Sequence, residues 1–352
     1  AAIKTAEPFL PAGTVIAREQ TYVHTFYKKE ATAQQPATSK EEGNLVAFSG
    51  PDFKATFDKQ SGLLTSYLYK KHEYILNGQG PRPFFWRAPT DNDYGANLPV
   101  RLKAWKEASY QEPKAESFQV TPGSNATTIK VTYRFPQTDA RWDITYKIYA
   151  SGVIKVDNRF VAEGDQAPMI PRVGLRMQLP ESFTDLTYYG RGPKENYRDR
   201  RTSQFIGEYA IPVKDMYEPY VRPQENNHRT DIYWCALTDK TQRGLLLIAD
   251  RTFELNTSNY PLESMDSGDT IDNSAPRTEK THHRHLTDPL PEKMVDLFID
   301  YRMMGVGGDD SWGATAHEPY LIRPGKENAI EYGFSLVPFD KKEDYKYLIR
   351  QY

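Results

Sequence analysis

Ile129, Val131, Tyr133 and Phe135 alternate with Lys130, Thr132 and Arg134. A period of two places the first set on one face of an extended chain and the second on the other, so the segment predicts a strand with one side buried. The pattern returns at Trp142, Ile144, Tyr146 and Ile148, then at Ile154, Val156, Asn158 and Phe160, with Ser151 and Gly152 supplying turn chemistry between them. Three such runs in succession predict an antiparallel meander. A further strand is expected through Val173, Leu175, Met177 and Leu179, and a last one through Ile330, Tyr332, Phe334 and Leu336; residues 245–249 and 297–301 add buried-strand candidates. Helical spacing is confined to residues 101–110, where Leu102, Trp105 and Ala108 or Tyr110 share one side. An all-β chain follows, a large antiparallel sandwich in which one sheet covers a face of another.

The 352 residues suffice for two domains or one large β domain, and the 24 Tyr, 16 Phe and 5 Trp suit strands better than helices. Lys and Arg number 45 against 47 Asp and Glu, a net charge of -2 that supplies no drive toward nucleic acid or a membrane surface. No apolar run approaches the ~18 residues of a membrane span, and the first residues lack a basic stretch followed by an apolar one, so a soluble chain without a visible leader is expected. Cys235, the single cysteine, lies in the apolar run 233–237 and reads as core rather than nucleophile. Residues 31–44 lack apolar periodicity and read as a linker. Residues 1–30 hold only strand-like pieces (14–16 and 21–26), too little for a core of their own, so they are expected to complete a neighbouring domain. That leaves 45–340 as the principal domain and 341–352 as a tail.

Four polar, aromatic, Gly/Pro-punctuated segments read as site loops. In residues 84–95, Asp91, Asn92 and Asp93 offer oxygen donors to a hard cation, or equally cap the helix at 101 or satisfy turn amides. Residues 188–200 contain Gly190-Arg191-Gly192, but Pro193 removes an amide and no phosphate-loop lysine follows. Residues 217–229 bring Glu225, His228 and Arg229 within five positions, for structural hydrogen bonding or for a ligand. Residues 304–313 carry Asp309, Asp310 and Trp312 behind flexible glycines; the indole is either a sugar-stacking platform or core. His282, His283 and His285 lack a carboxylate or cysteine at ligand spacing, so no metal site is assigned.

Residues 87–95 (RAPTDNDYG), 192–200 (GPKENYRDR), 215–221 (DMYEPYV) and 305–312 (GVGGDDSW), with 60–63 (QSGL) and 281–285 (THHRH), resemble the C-terminal region of glycoside hydrolase family 2 β-galactosidases. The resemblance implies a galactose mutarotase-like super-sandwich over 45–340, preceded by the end of an immunoglobulin-like domain. It also implies that the catalytic glutamates belong to an upstream (β/α)8 barrel, leaving no catalytic residue in this chain. By the same resemblance, Trp312 forms a platform at the mouth of the galactoside pocket and Gly95 belongs to a loop that moves with the sugar. Asp91, Asn92, Asp93, Asp309, Asp310, Glu225 and Arg229 are then supporting loop residues. The implied partners are β-galactosides, the barrel and further copies of the complete enzyme in a bacterial cytoplasm or periplasm. The chain itself calls for no cofactor, whereas Mg or Na belongs to the complete enzyme. A stand-alone aldose mutarotase using His228, His285 and Glu225, or a carbohydrate-binding module, is the alternative.

Overall fold

In the computed structural model, which describes residues 1–21, 35–163, 169–268, 285–310, 313–323, 325 and 329–351, a five-stranded and a twelve-stranded antiparallel sheet account for the strands. The smaller sheet is a plain meander of β1 (Thr38–Glu42), β2 (Leu45–Ser49), β3 (Phe53–Asp58), β4 (Leu64–Tyr69) and β5 (His72–Glu73). After β6 (Arg82–Phe84) come three short helices, α1 (Asp91–Gly95), α2 (Leu98–Arg101) and α3 (Lys103–Tyr110). The expected meander follows as β7 (Ala115–Thr121), β8 (Thr127–Phe135), β9 (Ala140–Ile148) and β10 (Ile154–Ala162). In β9 buried and half-buried residues alternate without a break. Beyond it lie β11 (Arg172–Pro180), β12 (Asp185–Gly192), β13 (Phe205–Pro212), β14 (Arg229–Thr238), β15 (Gly244–Ser258), β16 (Met294–Met303), β17 (Ile330–Phe339) and the helix α4 (Tyr345–Gln351).

The buried faces of the two sheets meet through aromatic rings. Phe57 of β3 packs edge-on against Tyr146 of β9 at 5.0 Å between ring centroids, and the Tyr67 hydroxyl donates to the Gly152 carbonyl at 2.5 Å. At one end Phe85 lies at 5.0 to 5.5 Å from Trp105, Phe135, Trp142 and Phe160, so the single amphipathic turn of α3 is pinned by Trp105. Such contacts add geometric preference to the burial of large rings. Cys235 is buried in β14, where desolvation raises its thiol pKa and suppresses the thiolate.

β15 decides the shape of the large sheet. One edge pairs with β14; the other pairs with β17 over Gly244–Ala249 and then with β16 over Glu254–Ser258. Between those stretches Asp250 and Arg251 are exposed, because the sheet forks there and no single neighbour covers them.

Two boundaries differ from the sequence reading. Thr38–Glu42, assigned to the linker 31–44, forms β1 and pairs with β2 along its whole length. All five of its side chains are exposed, so backbone pairing, helped by the Thr38–Ser49 and Glu41–Lys59 side-chain contacts, holds it and no hydrophobic period could mark it. The tail 341–352 contains α4, whose Tyr345 packs against Trp234 and Phe339 at 6.0 and 5.5 Å. Of the pieces expected at 14–16 and 21–26, Val15 makes an isolated bridge to Ala2, and 22–26 lie outside the described residues. The Gln20 amide extends the edge of β13, donating to the Ile206 carbonyl at 2.8 Å and accepting its N–H at 2.7 Å.

Candidate functional site

The segments that read as site loops come together at one end of the sandwich, around Arg87. Thr90 caps α1: its hydroxyl accepts from the Asp93 amide at 3.2 Å while the Asp93 carboxylate accepts from the Thr90 amide at 3.0 Å, a reciprocal capping box. The same carboxylate receives Arg87 through two N–H groups at 3.0 and 2.8 Å. Arg87 then reaches the 304–313 loop, donating to the carbonyls of Met304 at 2.7 Å and Gly305 at 3.1 Å. Asp199 fastens the next two residues by accepting the amides of Val306 and Gly307 at 3.2 and 2.8 Å. A Cβ on Gly305 would lie 2.5 Å from that carboxylate, so glycine is what the approach requires. Glu195 accepts from Arg200 at 2.5 Å and from the Asn227 amide at 2.8 Å, and it also bonds the Tyr220 hydroxyl.

On the exposed rim, Asp91 pairs with Arg222 at 3.2 Å and accepts from the Gln224 amide group at 3.1 Å, while Asn92 is half-buried. Asp309 lies 2.7 Å from His317 Nε2, and Asp310 accepts the Ala314 amide at 3.2 Å. Gly95 ends α1, and the left-handed conformation that follows belongs to Asn97 at φ 56°. Gly313 (φ +121°) presses on that turn: a Cβ there would stand 2.4 Å from the Gly95 carbonyl carbon. Trp312, the preceding residue, lies outside the described residues, as do His282 and His283.

Glu225, His228 and Arg229 are buried. Arg229 donates to the carbonyls of Pro193, Asn227 and His228, tying the start of β14 to the neighbouring loop. His228 stacks on Tyr197, with Nε2 3.0 Å from Glu254 and Nδ1 2.6 Å from Asn256. Burial opposes its imidazolium, but the Glu254 bond and charge outweigh burial and raise the pKa above its usual 6.5. Asn256 also donates to Glu225 at 2.9 Å, and Arg172 lies 3.6 Å from Glu225 and 3.2 Å from Asp300. Burial pushes the Asp300 carboxyl up to about 7 against the pull of Arg172 and His228. This network meets the loops where the Glu225 amide donates to the Ala88 carbonyl and the Arg172 amide to the Phe85 carbonyl. His285 sits in an exposed turn held by Asp288.

Asp296 and Asp300 carried a signal that sequence reading left unused: both interrupt an apolar strand, a placement that demands a buried cationic partner. Arg87 and Asp199 stand inside the motifs 87–95 and 192–200, but nothing local shows that their carbonyl and amide partners lie in the 304–313 loop. Among the described residues no group of three His, Cys, Asp or Glu could hold a metal ion, and no helix is long and apolar enough to cross a membrane.

The family model described as "Beta galactosidase small chain" matches residues 49–336. This chain belongs to that family. It is 33% identical over 291 residues to a β-galactosidase of Priestia megaterium, covering 82% of this chain and 26% of the relative. A β-galactosidase of Streptococcus thermophilus is 27% identical over 343 residues, 96% of this chain and 31% of its own length. The chain therefore spans roughly a quarter to a third of the curated relatives it matches. Among solved structures, a galactose 1-epimerase from Lactobacillus acidophilus aligns at TM-score 0.45 and 7% identity over 88% of this chain and 99% of its own. A TPR-domain protein from Parabacteroides distasonis aligns at 0.45 and 12% identity over 85% and 48%.

Proposed function

We propose that this chain is the non-catalytic part of a β-galactosidase that completes the galactoside pocket with its Arg87-centred loops and packs on an upstream catalytic barrel. The observation that carries the reading is the meeting of the family-specific segments in one cluster, with Gly313, next to Trp312, against Gly95. In this reading Trp312 is the apolar platform on which the sugar first rests, and the turn after Gly95 adjusts as galactose moves inward. The barrel, β-galactosides and further enzyme copies are the partners, and any Mg or Na belongs to the complete enzyme.

Retaining hydrolysis needs one carboxyl as acid/base and a second as nucleophile, ~5–5.5 Å apart. The carboxylates of the cluster are engaged otherwise: Asp93 by Arg87, Asp199 by loop amides, Glu195 by Arg200 and Asn227, Asp91 by Arg222. Their work is to hold the 304–313 loop and α1 in register, so the bond-breaking pair comes from elsewhere. Val221, 85% exposed, and Val100, 47% exposed, flank these loops and suit contact with a further module.

Purified 352-residue chain is expected to leave a chromogenic galactoside intact; sustained turnover refutes the proposal. In the complete enzyme, Trp312→Ala is expected to lower kcat/KM through weaker binding, by about 1–3 kcal/mol for lost apolar contact. Unchanged kinetics removes the platform.

A further inference from the structure

The fork in β15 opens a groove of about 980 Å³ on the polar face of the large sheet, running from β8 across β9, β10 and β17 to β15 and β16. Asp91, Gly95 and Asp309 do not line it. We propose that this groove docks an acidic, extended peptide segment of a partner protein.

The sign of the surface follows from pairing its charges one by one. The lining holds as many Lys and Arg as Asp and Glu, but its carboxylates are all engaged, several of them by cations from outside the lining. Asp157 takes Lys147 and Lys155, each at 3.1 Å, and Asp250 takes Lys155 at 2.5 Å. Asp231 takes Arg191 at 2.7 Å and Arg201 at 2.9 Å, while Glu254 lies 3.0 Å from His228. Asp143 and Glu331 pair with Arg141 and Arg159 at 2.9 and 3.3 Å. Lys130, Arg251 and Arg302 of the lining, by contrast, form no ion pair among the described residues. Lys130 and Arg251 are exposed, and the Arg302 guanidinium rests 4.8 Å from the Tyr301 ring centroid, a contact that orients the charge without neutralising it. The surplus is therefore positive, and a groove focuses such a field on an anionic partner.

The placement of the three cations selects the kind of anion. Lys130 is opposite Thr145, Thr145 opposite Asp157, and Asp157 opposite Gly333 on successive strands. Three interstrand steps of ~4.8 Å put Lys130 about 14 Å from Gly333. Asp250 and Lys155 fill the space over Gly333, and Arg251 follows Asp250 at the fork. Arg302 reaches the fork from the other branch, where Glu254 is opposite Asp300 and accepts the Met303 amide at 2.8 Å. One small anion cannot touch both ends. An extended peptide covers about 14 Å in about four residues at ~3.3 Å each, and residues four apart face the same side. A carboxylate at one position then meets Lys130, and acidic residues four positions on meet the fork. Uncharged residues between them pass over Thr145 and Asp157 and leave the Lys155 bridges intact. A nucleic-acid strand lacks this freedom, because every nucleotide carries a phosphate and some would fall on Asp157 and Asp143. Capture of acidic segments by Arg clusters is a recurrent mode of peptide recognition, strengthened where the hydrogen bonds are charge-assisted.

Amide chemical-shift mapping of the 352-residue chain tests the site with the end-capped peptide Glu-Ser-Thr-Ser-Glu-Glu, the same peptide with Gln in place of Glu, and a single-stranded oligothymidylate. The Glu peptide is expected to shift Lys130, Thr145 and Arg251 saturably, and the Gln peptide to leave them in place. Exposed ion pairs are individually weak and screened by salt, so going from about 20 mM to about 200 mM salt is expected to weaken binding about fivefold or more. Reversing both exposed charges, Lys130→Glu with Arg251→Glu, is expected to keep the Tm and to weaken binding about tenfold or more. Should that variant fail to fold, the Gln peptide and the salt titration on the unaltered chain decide. Absence of saturable shifts at these residues, equal binding of the Gln peptide, or undiminished binding by the folded double variant overturns the proposal. So do shifts confined to 91–97 and 305–317, or tighter binding of the oligothymidylate in the groove, which marks a site for a phosphate chain instead. The Trp312→Ala kinetics fail or succeed independently of this outcome.

Discussion

Asp91, Asn92 and Asp93 are consecutive polar residues whose roles separate only on folding. Helix phase turns Asp93 inward, onto Thr90 and Arg87, and leaves Asp91 on the rim with Arg222. Asp93→Ala is therefore expected to destabilise the fold by about 3–5 kcal/mol, because it leaves the buried Arg87 guanidinium without its carboxylate, besides removing the cap. Denaturant unfolding measures this, and a loss below about 1 kcal/mol contradicts it. Asp300 and His228 predict a pH dependence. The folded-state value of Asp300, about 7, lies above its ordinary 3.8, so between those values the folded state binds more protons than the unfolded one. Stability falls as pH rises across that window. His228, raised above 6.5, acts in the same direction, its contribution being lost as pH rises through its folded value. Thermal unfolding is expected at a lower Tm near about pH 8 than near about pH 5, and Asp300→Asn should flatten the slope. A Tm that climbs over this range contradicts the assignment.

Among elements, legibility followed burial. β9 alternates cleanly and α3 carries Trp105 on one side, so both were visible as pattern. β1 has no buried side chain, and its identity rests on pairing with β2, which lies outside any residue-type signal. Residues 188–192 read as loop because of their glycines, yet they form the end of β12; a Cβ at Gly190 would meet Ile232 at 2.4 Å, so close strand packing explains the glycine. β15 showed only its first apolar run, since the exposed pair Asp250 and Arg251 interrupts the period at the fork. Hydrogen exchange should rank the strands accordingly: amides of β1, at a sheet edge and without packed side chains, exchange ~100-fold or more faster than those of central β9. Equal protection would mean that β1 is held by more than its pairing with β2.

For the whole molecule, the consequential contact is between chain segments remote in sequence, Gly313 against Gly95. Gly313→Ala combines a backbone conformation strained for any side chain with a clash against main-chain atoms that cannot rotate away. It is expected to cost about 1–3 kcal/mol of stability and, in the complete enzyme, to raise KM for galactosides by displacing the Gly95 turn. A variant with unaltered stability and KM would show that the two loops move independently. The antiparallel all-β class, the meander from β8 to β10 and the helix α3 were determined by sequence alone, because alternation and spacing are local properties of side chains facing one core. Motif resemblance also singled out the loops that the fold brings together around Arg87. Only the tertiary structure decided that those loops share one cluster, that Glu225 and His228 lie beneath it in a buried network, and that β15 forks to open a groove. These outcomes depend on which backbone groups and charges meet across the sheet, and no local pattern encodes such meetings.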